Sequence, residues 1–119
     1  MEKPHKKLDG WKLSMDLAID VYKTTDSFPS QEKYSLVDQI RRATISIPSN
    51  IAEGAARQTK KEFANYLHIA QGSLSELDTQ FELARRLGYT DDQTWRTLSE
   101  RMERIDKLLS GLIHHLNTK

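Results

Sequence analysis

Few residues in this chain have the types and spacing for catalysis. The histidines stand at positions 5, 68, 114 and 115. A carboxylate-bridged di-iron centre in a helical bundle needs Glu-x-x-His motifs on facing helices, and none of the predicted helices carries one. His114 and His115 are adjacent, so on a helix they point about 100° apart and share a metal poorly. The absence of cysteine excludes disulfides, thiol nucleophiles and cysteine-ligated zinc or iron–sulfur sites. There is no glycine-rich phosphate loop and no nucleophile elbow, and no serine–histidine spacing suggests a triad. The chain is therefore expected not to be an enzyme: no catalytic residue, no cofactor and no metal site.

What remains is polar chemistry on helix faces. Arg42, Ser46, Asn50, Glu53 and Arg57 recur at steps of 4, 4, 3 and 4, so they share one face. Tyr66, Ile69, Ser73, Glu76, Gln80, Leu83 and Leu87 form a second line on the next helix, apolar at its ends and polar in the middle. Antiparallel pairing through the turn at Arg57-Gln58-Thr59 sets Arg42 level with Glu76 and Ser73, and Asn50 level with Tyr66. The expectation is an Arg42–Glu76 ion pair within a structural polar network of Arg42, Ser46, Asn50, Glu53, Ser73 and Glu76. Buried, such a pair would specify register more than add stability. Gly54 and Gly72 are expected to let helices approach closely. The network reads either as a satisfied seam inside one bundle or as a subunit or ligand face. A helix with two stripes has more surface to bury than one neighbour covers, which points toward self-association.

Basic residues cluster at Lys3/Lys6/Lys7/Lys12, Arg41-Arg42, Arg57/Lys60/Lys61 and Arg85-Arg86. The third cluster adjoins a helix N-terminus, which favours anions. Arg41, Arg57, Lys60 and Lys61 are accordingly the candidate nucleic-acid contacts; the alternative is a solvated turn.

These faces need helices to carry them. Residues 1–7 read as a flexible arm. The first helix, about 9–26, has a stripe of Leu8, Trp11, Met15, Ala18 and Tyr22 at steps of 3, 4, 3 and 4. Phe28-Pro29 ends it. The second, about 31–56 with Ser30 as N-cap, has Val37, Ile40, Thr44, Ile47 and Ile51 at the same steps. Pro48 kinks it, or breaks it into two short helices at Ile47-Pro48. The third runs about 60–87 from a Thr59–Glu62 capping box to a Gly88 cap. The fourth, about 91–117, opens on a second box, Thr90–Gln93. A short turn makes the last two helices antiparallel. The register then sets Phe81 against Leu98, Leu77 against Met102, Leu74 against Ile105, Ala70 against Leu109 and Leu67 against Leu112, and every partner is apolar. The fold class is all-α: an antiparallel up-down-up-down four-helix bundle forming one domain over 1–119.

The balance of 18 Lys+Arg against 17 Asp+Glu gives a net charge of +1. A dedicated nucleic-acid-coating domain is far more basic, so any such role must come from local patches or from several copies together. No apolar run spans a membrane, and no signal core follows the basic N-terminus, so a cytoplasmic location is the expectation.

Gln39-Ile40-Arg41-Arg42-Ala43, Ser46-Ile47-Pro48-Ser49-Asn50-Ile51-Ala52-Glu53-Gly54 and Ala70-Gln71-Gly72-Ser73-Leu74-Ser75-Glu76-Leu77 resemble the signature of the 23S rRNA-intervening-sequence protein family, also called the four-helix bundle protein family. The likeness extends to Phe28-Pro29, Lys61-Glu62-Phe63 and Leu87-Gly88-Tyr89, and so covers nearly the whole chain. It implies an antiparallel bundle assembled into a ring-like homopentamer, encoded in bacterial genomes, often within rRNA-gene insertions, with no established enzymatic activity. The family is also similar to the accessory protein of diversity-generating retroelements, a basic pentameric bundle that associates with a reverse transcriptase and nucleic acid. The near-neutral charge departs from that type. The implied role is a non-enzymatic oligomeric scaffold that engages RNA or a nucleic-acid-processing protein through basic patches. The alternative is an oligomeric protein–protein adaptor with no nucleic-acid role.

Overall fold

Four helices follow one another in residues 3–118, the part described by the computed structural model: α1 (Asp9–Thr25), α2 (Leu36–Ala55), α3 (Lys60–Arg86) and α4 (Asp92–Asn117). Helix α2 packs on α1 and α3, and α4 packs on α3 and α1, while the diagonal pairs stay apart. The result is the expected up-down-up-down bundle, 48 × 24 × 20 Å.

The expected stripe of α2 is the one buried, with Ile40, Thr44, Ile47 and Ile51 sealed from solvent. Thr44 is compatible with this site because its hydroxyl donates to the Ile40 carbonyl at 2.7 Å. The helix runs through Pro48 without a break, so the two-helix alternative does not hold. On α3 and α4, Leu67, Ala70, Leu77, Phe81, Ile105 and Leu109 fill the facing layers as the register requires. Ile113 is buried at the far end, whereas Leu112 is only half-buried.

Three expectations about helix starts need correction. Residues 4–7 are not a free arm: Pro4–Lys7 forms a 3-10 turn, with His5 edge-on to Trp11 at a centroid distance of 5.0 Å. Residues 1–2 of the expected arm lie outside the described residues. Helix α2 begins at Leu36 rather than near 31, because Ser30–Glu32 winds as a separate 3-10 turn after Pro29. At α4 the N-cap is Asp91, one residue later than expected, and its carboxylate accepts the Thr94 amide at 2.6 Å. That bond holds the Asp91 carboxyl below its usual range. The Thr59 cap is as expected, accepting the Glu62 amide at 3.1 Å.

Helix α1 keeps Leu8 and Trp11 of the expected stripe against the core, partly buried, but beyond them turns a different face inward. Leu17 and Val21 are core, joined by Gly10, Ser14 and Thr25. Ser14 and Thr25 bury their hydroxyls by donating to the Gly10 and Val21 carbonyls at 2.6 and 2.8 Å. Met15 and Tyr22, assigned to the seam by spacing, are exposed.

At the α3 C-terminus Gly88 adopts φ +80°, the left-handed region that glycine enters freely. The Tyr89 amide then reaches the Ala84 carbonyl (2.9 Å) and the Gly88 amide reaches that of Arg85 (3.0 Å), closing a Schellman cap. The cap aims Tyr89 back across the bundle end, where its phenol donates to Glu32 at 2.6 Å. The Ser35 hydroxyl donates to the other Glu32 oxygen, also at 2.6 Å.

The Ser35 and Tyr89 bonds hold the Glu32 carboxyl below its usual 4.5. The same carboxylate holds the Tyr89 phenol above its usual 10.0. A carboxyl lowered by folding contributes stability that is present above its unfolded value and lost as pH falls through the folded one. A raised phenol contributes stability that is present below its unfolded value and lost as pH rises through the folded one. Thermal midpoints are therefore expected to decline below the carboxylate range and above the tyrosine range. Tyr89→Phe should remove part of both losses; superimposable pH profiles for the variant and the parent would count against the bond.

Candidate functional site: a polar seam between two helices

The sequence places serines and an amide on the facing sides of α2 and α3, and the packing joins them. The Ser46 and Ser73 hydroxyls lie 2.8 Å apart across the interface. The Asn50 amide donates to both the carbonyl and the hydroxyl of Ser46, at 2.7 and 2.9 Å. Each group is small, so the helices can meet closely here while every hydroxyl finds a partner. Two turns further along α3, the Gln80 amide donates to Glu76 at 3.2 Å. The Gln80 carbonyl oxygen is buried without a partner.

The remaining members of the expected network go elsewhere. Arg42 does not meet Glu76; it pairs with Asp38 at 2.9 Å, its side chain 78% exposed. The reason is local: Asp38 sits one turn back on the same helix, already in reach, whereas Glu76 is on a neighbour. Glu53 pairs with Arg57 at 3.2 Å. Arg57 also donates to the Tyr66 phenol at 2.7 Å and lies 4.9 Å from that ring's centroid.

Among the candidate nucleic-acid contacts, Arg41 is committed to the fold. Its guanidinium bonds Thr25 (3.0 Å), the Tyr22 carbonyl (3.2 Å) and Asp26 (2.9 Å), and sits 4.5 Å from the Tyr22 ring centroid. A cation at the C-terminal end of α1 meets carbonyls left over by the helix, so Arg41 ties α1 to α2. Arg57 is occupied as described. Lys60 and Lys61 are exposed in the first turn of α3, with no ion-pair partner among the described residues. The four residues thus divide into two structural arginines and two free lysines.

Spacing alone did not reveal the exposed apolar side chains of α1 and α2. Met15, Ile19 and Tyr22 line one face of α1, and Ile45, one turn beyond Arg41, faces the same side from α2. Ile69, Leu83 and Leu87 continue the Ser73–Gln80 line of α3 at both ends. Tyr34 is exposed in the α1–α2 connection. None of these large exposed residues lies on α4. The signal available in the sequence was the apolar ends of the second α3 line. For α1, which has apolar residues on two faces, spacing favoured the line through Met15 and Tyr22, whereas the packing buries Leu17 and Val21.

A profile of the 23S rRNA-intervening sequence protein matches residues 6–111, which include both helices of the seam and all but the end of α4. The chain belongs to that family. A solved structure agrees: a protein of unknown function from the S23 ribosomal protein family of Bacteroides thetaiotaomicron, at 25% identity and TM-score 0.81, covering 88% of this chain and 95% of that one. No relative is found among curated proteins. In this intervening-sequence protein, no described helix is long and apolar enough to cross a membrane. No group of three or more metal-ligating side chains forms among the described residues. The shifted acids and bases at Glu32, Glu82, Arg85, Tyr89 and Asp91 are explained by bonds at helix ends and turns.

Proposed function

We propose that this intervening-sequence protein is a non-enzymatic, self-assembling scaffold working in the cytoplasm of a bacterium. The observation carrying this reading is the pair of unlike apolar flanks on either side of α2, Met15/Ile19/Tyr22/Ile45 and Ile69/Leu83/Leu87. Exposed apolar surface of this kind favours protein contacts. Unlike flanks pair head to tail, and head-to-tail pairing closes into a ring when the rotation allows. Family resemblance supplies the number, five. Symmetry would repeat Lys60 and Lys61 around such a ring and turn a weak cation pair into a multivalent surface for RNA.

Sedimentation at about 10–100 µM should show an oligomer. Ile19→Arg and Ile69→Arg, each at a side chain about half exposed in the protomer (54% and 52%), should release monomers of unchanged helicity. A parent chain that is monomeric over that range contradicts the scaffold. RNA binding should weaken steeply with salt and with Lys60→Glu/Lys61→Glu. The second reading, a protein adaptor without nucleic acid, is favoured by the engagement of Arg41 with Asp26 and of Arg57 with Tyr66. It predicts no salt-dependent RNA binding by the intact oligomer.

A further inference from the structure

Away from the apolar flanks, α3 and α4 enclose an open groove of about 460 Å³. Its floor is apolar and aromatic: Leu74, Trp95 and Met102. Its rim carries three carboxylates, Asp78, Glu103 and Asp106. Glu103 is paired with Lys107 at 3.3 Å, but neither Asp78 nor Asp106 has an ion-pair partner among the described residues. Arg85, beside Trp95 at one end of the groove, is held by Glu82 (2.7 Å) and Asp92 (3.7 Å). It stacks on Trp95 with its guanidinium carbon 4.2 Å from the ring centroid. The ring thus already takes a guanidinium from within the chain.

Shape and charge together select an occupant. From Trp95 to Asp106 the α4 wall is about 16 Å long at 1.5 Å per residue. That matches about five residues of extended chain at roughly 3.3 Å each. A compact amine would fill only part of it. Unpaired carboxylates above an apolar floor suit side chains with an apolar stem and a cationic head, and they repel phosphate. We propose that the α3–α4 groove docks a basic peptide segment of a partner protein, about five residues in extended form, with arginine or lysine alternating with apolar residues. The cationic heads would lie at Asp78 and Asp106, with the apolar residues on Leu74, Trp95 and Met102. The proposal goes beyond the scaffold reading and does not depend on the oligomeric state.

The chain has two tryptophans, so Trp11→Phe leaves Trp95 as the sole reporter. The probe is a blocked hexapeptide alternating leucine and arginine. It should change Trp95 emission saturably, with an affinity that falls as salt rises. Asp78→Asn/Asp106→Asn should weaken it at least about tenfold, at unchanged helicity, because both aspartates are exposed. The same peptide with glutamate in place of arginine should not bind, a check that needs no protein variant. Equal affinity for the double variant, binding of the acidic peptide, or displacement of the peptide by equimolar spermine would each overturn the assignment.

Discussion

Phe81→Ala is expected to destabilise the bundle by about 3–5 kcal/mol. Phe81 is fully buried on α3, and its ring meets that of Phe28 edge-on at 6.4 Å. Phe28 in turn packs against Tyr89 at 5.6 Å. The truncated side chain therefore removes the core-seated end of a three-ring chain, Phe81–Phe28–Tyr89, in which Phe28 of the α1–α2 connection meets Tyr89 of the α3–α4 turn. Rigid helices on several sides prevent collapse into the hole, so the cavity cost adds to the lost transfer energy. Denaturant titration should show a lower midpoint at unchanged slope. A loss under about 1 kcal/mol would mean that the stack is not part of the cooperative core.

Gly54→Ala is expected to destabilise by about 1–3 kcal/mol, although the same change usually stabilises a helix by about 0.8–1 kcal/mol. A β-carbon at Gly54 would lie 2.8 Å from the Tyr66 β-carbon, 2.9 Å from the Phe63 ring and 3.2 Å from the Phe63 carbonyl oxygen. The first and last of these atoms belong to or sit next to the α3 backbone, so relief requires moving a helix. Gly111→Ala is the control: nothing lies within 4 Å of a β-carbon there, and it should be neutral or stabilising. Gly72, expected from the sequence to mark a second close approach, also faces open space, so the close approach is at Gly54 alone of the pair. If both alanine variants gain stability in chemical denaturation, the close-approach argument fails.

The parts of the fold that sequence could specify are those set by local chemistry or by one unambiguous stripe. Thr59 and Gly88 act through their immediate neighbours, and the α2 stripe has no rival on its helix. In α1, spacing favoured the wrong face, because Ser14 and Thr25 satisfy their own hydroxyls and so can be buried. The seam was legible in Ser46, Asn50 and Ser73, which have no competing partner nearby. Arg42 was misplaced because spacing between helices says nothing about Asp38, waiting on the same helix. Arg41 looked available because its partners Thr25 and Asp26 come from a different helix end, and only tertiary packing brings them together.

Pro48 has a consequence for the order in which the chain can assemble. It offers no amide to the Thr44 carbonyl, so the hydrogen-bond ladder of α2 has a missing rung in a segment where Ile47 and Ile51 are wholly buried. Helix α2 also lacks a side-chain cap at Ser35. Helices α3 and α4 begin on side-chain caps, and α3 ends on a Schellman turn. An isolated helix is marginal in water even without such defects. The α3–α4 hairpin is therefore the half that local sequence can nucleate, and α2 becomes a helix only in the company of its neighbours. The segment with the most identifying residues is thus the one whose shape is least its own.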